Sequence, residues 1–277
     1  MLKDLLVQIP SERPIRPVVE SAISLAQSHS ANLDAVSIGF ESANIGLAVD
    51  SAAVVASVFD LERERALARA NAALEVFETE ARNAGIAYGR QALSAVPIDA
   101  FARLGAMARL YDLSIVMQPD PEYTTSDNTV PVEMLFQAGG PLLFIPYTQK
   151  GAFKPRLVGV AWDGSRLAAR ALRDAMPFIT KAEAVIIVSV NEKDAATEIS
   201  TANLITHLTR RGISSKVERL TAEPADVQPT ILSVAADAGI DLIVMGGYGH
   251  SRLHERILGG VTRDMLVSMT VPTLMSH

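Results

Sequence analysis

Eighteen residues near the C-terminus, Met245 to Thr262, read MGGYGHSRLHERILGGVT and place five glycines around one short basic stretch. Glycines lack the Cβ atom that blocks close approach. They also accept positive φ, so successive backbone N–H groups can converge on an anion. Gly246 and Gly249 stand on one side of the stretch, Gly259 and Gly260 on the other. A helix starting at Val261 and Thr262 would add its unpaired N–H groups and the positive end of its dipole. His250, Arg252, His254 and Arg256 supply donors or charge to the same region. The chemistry this suggests is a phosphate cradle.

Two familiar glycine motifs do not fit. A dinucleotide fingerprint starting at Gly247 and Gly249 would require glycine where Arg252 stands, and the chain contains no Gly-Lys-Ser/Thr tripeptide for a P-loop. The spacing is instead Gly246-x2-Gly249-x9-Gly259. Metal binding is disfavoured: His250 and His254 have helical i, i+4 spacing, but neighbouring Glu255 would point elsewhere on a helix. Ser165 has neither a histidine base nor a nucleophile elbow around it, so no covalent catalysis is expected.

Composition narrows the classes. The chain has 277 residues, 49% apolar and 20% charged, within the normal range for folded domains, and is long enough for two cores. A net charge of −6 argues against nucleic acid as a main partner. With no cysteine, disulfides and thiolate zinc sites are excluded. No apolar run approaches the ~18 residues needed to span a membrane, and the N-terminal MLKDLLVQIPSERP lacks a signal-peptide pattern. The expected location is the cytoplasm.

The elements that would carry the loop recur along the chain. Continuous apolar runs predict strands over 4–9, 33–40, 88–94, 113–118 and 141–146, then over 156–162, 184–190, 216–220, 241–246 and 272–275. Such runs suit parallel strands covered on both faces. Helical periodicity predicts helices over 61–84, 166–178, 196–211, 227–238 and 256–268, the first with Leu61, Ala68, Ala72 and Val76 as its apolar stripe. Gly85 and Gly212 follow two of these helices as caps. The halves also echo each other. YDLSIVMQPD answers IDLIVMGGYG, GGPLLFIP answers MTVPTLMS, and KDLLVQIPS answers PRLVGVAWDGS. The expected fold is therefore α/β, two tandem doubly wound five-stranded parallel-sheet domains over residues 1–149 and 155–277, joined by QKGAFKP, with one large ten-stranded sheet as the alternative.

The glycine spacing, preceded by DLIVM, resembles the universal stress protein family, whose pattern is G-x2-G-x9-G-[ST]. VAWDGS at Val160–Ser165 is similar to the family's first-strand signature, an apolar run followed by Asp-x-Ser. The resemblance covers nearly the whole chain, once per half. It implies the adenine-nucleotide α-hydrolase-like fold and ATP, or ADP or AMP, with or without Mg, bound in the second half. Asp163 would then meet the ribose or adenine region. Ala161, Trp162 and Val190 would line the adenine slot, and Gly246, Gly249, His250, Gly259, Gly260, Val261 and Thr262 would surround the phosphates. Duller roles compete: Asp163 as a helix cap, and Trp162 as core, the favoured reading for that residue. The family's Ser/Thr is Gly260 here, which removes a phosphate donor worth about 1 kcal/mol. Thr262 is the candidate replacement.

The first half keeps no such loop. Ile9 and Pro10 stand where Asp163 and Gly164 stand, and Asp120, Glu122 and Asp127 replace the basic residues, repelling phosphate. It reads as a scaffold or partner surface. The leading expectation is a stress-response protein with ATP as a regulatory ligand and unidentified protein partners. The alternatives are an interaction module without nucleotide and, least favoured, a weak Mg-dependent ATPase using Asp163. The strand at 141–146 is expected to pair with the strand at 272–275, giving an intramolecular pseudo-dimer, with a homodimer left open.

Overall fold

A computed structural model describes residues 1–41, 52–192, 199–247 and 260–277. The chain divides into two compact units: a first of Leu2–Gly139 with Lys150–Phe153, and a second of Gly140–Gln149 and Lys154–His277, which also takes Met1. The stretch that ends the first half of the sequence thus groups with the second.

The first unit runs β1 (Asp4–Ile9), α1 (Arg16–His29), β2 (Asn32–Phe40), α2 (Ala52–Asn83), β3 (Tyr88–Ala95), α3 (Pro97–Ala108), β4 (Leu113–Met117), a 3₁₀ turn (Ser126–Asn128) and α4 (Val130–Gln137). Its parallel strands lie in the order β3-β2-β1-β4, with Val7 opposite Ala35 on one side and Ile115 on the other. Pro at the first turn of α1, α3 and α4 sets φ where no N–H partner is needed. The long α2 lies on β2 at Gly39, where a Cβ would stand 1.8 Å from the Ala66 carbonyl oxygen. That contact selects the buried stripe: Ala66, Ala70, Leu74, Phe77 and Ala81. The expected stripe of Leu61, Ala68, Ala72 and Val76 is exposed instead. In an alanine-rich helix two stripes have the right period, and the one bearing Leu74 and Phe77 buries more area.

The second unit runs β5 (Leu142–Ile145), β6 (Leu157–Ala161), α5 (Arg166–Asp174), α6 (Met176–Ile179), β7 (Ala184–Val190), α7 (Thr201–Thr209), β8 (Ser215–Leu220), α8 (Val227–Ala238), β9 (Leu242–Gly246), α9 (Val261–Ser268) and β10 (Thr273–Ser276). The strand order is β5-β10-β9-β6-β7-β8. The strands are parallel except for β5, which pairs antiparallel with β10, Leu143 opposite Leu274. This is the strand pairing expected from the sequence. The helix predicted over 166–178 is two helices, because Pro177 has no N–H to continue the first. α7 begins at Thr201, where the Ser200 hydroxyl accepts from the Asn203 amide, and residues 196–198 of the predicted helix lie outside the described residues. Residues 256–259 of the last predicted helix lie outside the described residues. Gly85 and Gly212 take φ of +66° and +74°, as caps require. The α/β fold is doubly wound, with helices on the faces of parallel sheets.

Candidate functional site

In an open parallel sheet, ligands sit beyond the carboxyl ends of the strands where the order reverses. In the second unit that point lies between β6 and β9, since β6 has β7 on one side and β9 on the other. Asp163 lies two residues beyond the end of β6. Gly164 takes φ +76°, and this turn lets the Asp163 Oδ1 accept from the Ser165 amide at 2.9 Å. Ser165, not Asp163, caps α5: its hydroxyl accepts from the Ala168 amide at 3.2 Å. Asp163 is exposed, and among the described residues its Oδ2 accepts no hydrogen bond.

Ala161 pairs with Val188, so Val190, two residues further along β7, shares its face. Both are half-buried. Trp162 points elsewhere: it is 5% exposed, and its indole N–H donates to the Ile199 carbonyl at 2.8 Å. A buried indole with its polar atom satisfied packs the β7–α7 connection, the favoured reading of this residue from the sequence.

The end of β7 carries two residues that the sequence did not single out. Asn191 adopts φ +58°, a conformation asparagine tolerates, and its side chain both donates to the Ala222 carbonyl and accepts from the Ala222 amide. Glu192 accepts from the Thr201 amide and hydroxyl and from Arg219, which hold its carboxyl below the usual range. These groups fix the chain beside the candidate site.

At β9, Gly246 lets α5 approach: a Cβ there would lie 2.8 Å from the Ala168 nitrogen and the Leu167 carbonyl carbon. Its missing side chain makes room for a helix. The Gly247 amide donates to the Ser276 carbonyl, and the Gly247 carbonyl lies 3.0 Å from His277 Nδ1. Gly249, His250 and Gly259, with Arg252, His254 and Arg256, lie outside the described residues. Gly260 is the N-cap of α9 at φ −126°, and no side chain caps this helix. Val261 is half-buried. Thr262 is 5% exposed within the first turn. Among the described residues no group of His, Asp or Glu is arranged to hold a metal.

The first unit closes the corresponding place with its own side chains. Asp127, fully buried, accepts from the Ser11 and Glu12 amides at 2.9 Å each and from Gln8 Nε2 at 3.3 Å. Arg13, 7% exposed, donates to the Met117 and Gln118 carbonyls at the end of β4. Burial pushes the Asp127 carboxyl up to about 6, against the pull of the Glu12 amide, Arg13 and the Ser11 amide. Burial likewise pushes the Arg13 guanidinium down to about 10. Asp120 is buried too. The acidic residues read as repelling phosphate from a surface therefore include two that are inside the fold.

No curated protein sequence matches the chain. The profile of the Universal stress protein family matches residues 155–277. A universal stress protein from Archaeoglobus fulgidus shares the fold with a TM-score of 0.71 at 16% identity, over 98% of this chain and 95% of that one. A putative universal stress protein from Pseudomonas aeruginosa does so with a TM-score of 0.61 at 15% identity, over 99% and 93%. No helix among the described residues is long and apolar enough to cross a membrane. The chain thus shares the fold of universal stress proteins over nearly its whole length, and its residues 155–277 match the profile of that family.

Proposed function

We propose that the second unit binds an adenine nucleotide, ATP in the first instance, as a regulatory ligand in a stress response. The observation that carries this is Asp163 at the β6–β9 switch point. Its Oδ1 is fixed by the Ser165 amide, while Oδ2 has no partner among the described residues, an acceptor suited to a ribose hydroxyl. Half-buried Ala161 and Val190 offer the adjoining apolar face for a base. Gly260, the N-cap of α9, brings no capping side chain of its own, and a helix N-terminus is an end that suits phosphate. Asp163 serves the sugar end, and no carboxylate is assigned to water near a γ-phosphate, so the protein acts by binding before hydrolysis. Occupancy shifts a conformational or partner equilibrium only by the difference in nucleotide affinity between its states. The domain boundaries, 1–149 and 155–277, a cytoplasmic location and a pseudo-dimer of the halves belong to the same reading.

Calorimetry with ATP tests it. The wild-type chain is expected to bind. Asp163→Asn keeps the Oδ1 contact but places an amide where Oδ2 accepts, and is expected to weaken ATP about tenfold or more with no loss of thermal stability. Gly260→Ser, at an extended φ that any residue adopts, restores the missing donor and is expected to tighten binding about five- to tenfold. An absence of binding at millimolar nucleotide would favour the nucleotide-free interaction module, a reading that the missing hydroxyl at Gly260 supports.

A further inference from the structure

Residues 119–129, between β4 and α4, form a self-contained strap. Asn128 ties it together: its Nδ2 donates to the Asp120 and Tyr123 carbonyls, and its Oδ1 accepts from the Asp120 amide at 2.9 Å. Asp120 Oδ1 accepts from the Glu122 amide, and the Thr125 hydroxyl accepts from the Asp127 amide. The strap's own bonds therefore survive if it moves as a body. What fastens it to β1 and the following turn is mainly Asp127, with its three donors at Gln8, Ser11 and Glu12, helped by Thr125, whose hydroxyl donates to Glu12 Oε2.

The latch is a buried carboxylate without an ion pair among the described residues. Arg13 spends its two terminal nitrogens on the Met117 and Gln118 carbonyls, and its Nε has no partner. The groups facing Asp127 are Gln8 on β1, Glu12 and Arg13 in the turn after β1, and Asp120 on the strap; Arg69 on α2 reaches Glu12 at 3.4 Å. Gln8 Oε1, also buried, has no partner and can receive nothing from an ionised carboxylate. Burial without an ion pair disfavours the charged form of Asp127 by more than its three donors and the nearby Arg13 favour it.

We propose that residues 119–129 are a proton-linked strap: with Asp127 neutral the strap is held closed over the end of β1, and with Asp127 ionised it opens more often, uncovering the Ser11 and Glu12 amides with Gln8 and Arg13. The sign follows from linkage. Closed, the carboxyl sits at about 6, above its ordinary value when exposed, so the closed form binds more protons. Closure is strongest below the ordinary carboxylate value and weakens as pH rises through about 6. Opening exposes amides and a guanidinium, groups that accept an anionic ligand, so an anion meeting this unit would compete with the chain's own carboxylate.

Hydrogen exchange on the full chain at pH 5 and pH 7.5, corrected for intrinsic exchange, tests this. In the wild type, protection of the peptides covering 10–15 and 119–129 is expected to fall together by about tenfold. In Asp127→Asn, whose Nδ2 can donate to Gln8 Oε1, protection should not change with pH. A flat wild-type response, or an equal fall in the variant, overturns the proposal. Carboxyl-carbon NMR of the labelled wild type needs no variant: one aspartate titrating near 6 is expected, and the absence of any aspartate midpoint above about 5 refutes the latch.

Discussion

A methyl group added at Gly246 would stand 2.8 Å from the Ala168 nitrogen and the Leu167 carbonyl carbon, both backbone atoms in the first turn of α5. Neither can move without shifting the helix that Ser165 caps. Gly246→Ala is therefore expected to cost about 1–3 kcal/mol in a denaturant melt. It should also weaken nucleotide binding, because the turn carrying Asp163 moves with α5. Individual residues differ in how far the sequence reveals them. Asp163, Ala161 and Val190 are singled out by the family resemblance, and what the sequence itself carries is their place at strand ends, since strand position and face are local properties. The donor from Trp162 to Ile199 joins residues 37 apart, and Asp127 meets Ser11 from 116 residues away. Local pattern carries no such information. Asp127 reads as one more surface acid in a polar stretch, and only the fold shows it to be buried.

Among the elements, the strands are the most legible, because burial on both faces demands unbroken apolar runs such as LSIVM in β4 and LLFI in β5. Helix ends follow from single residues. Pro177 splits α5 from α6, and Ser200 starts α7 within a stretch whose periodicity alone suggests an earlier beginning. α5 matters most for the site, since its first turn adjoins both β9 and the Asp163 turn. Ser165→Ala removes the hydroxyl that accepts from Ala168 and is expected to cost about 0.5–2 kcal/mol, seen as a lower melting temperature. Ser165→Asp, which keeps a capping acceptor, should recover most of it. Periodicity alone fails on α2, where two alanine-containing stripes compete and the close approach at Gly39 decides between them.

At the scale of the molecule, the second unit is completed by β5, whose Leu142, Leu143 and Phe144 pair along β10. Without it β10 would present a bare, buried-type edge of Leu274 and Met275. A chain starting at Lys154 is expected to self-associate more strongly in sedimentation than one starting at Gly140, which keeps β5 over the edge of β10. Equal sedimentation of the two would show that β5 does not guard that edge. Because the guarding strand comes from the same polypeptide, every copy of the glycine-bearing domain is synthesised with one copy of its glycine-poor companion, in fixed proportion. The strand beside β10 is a different sequence from β10 itself, so substitutions in one half need not be mirrored in the other. That freedom allows Asp127 to be buried at one sheet end while Asp163 is exposed at the other.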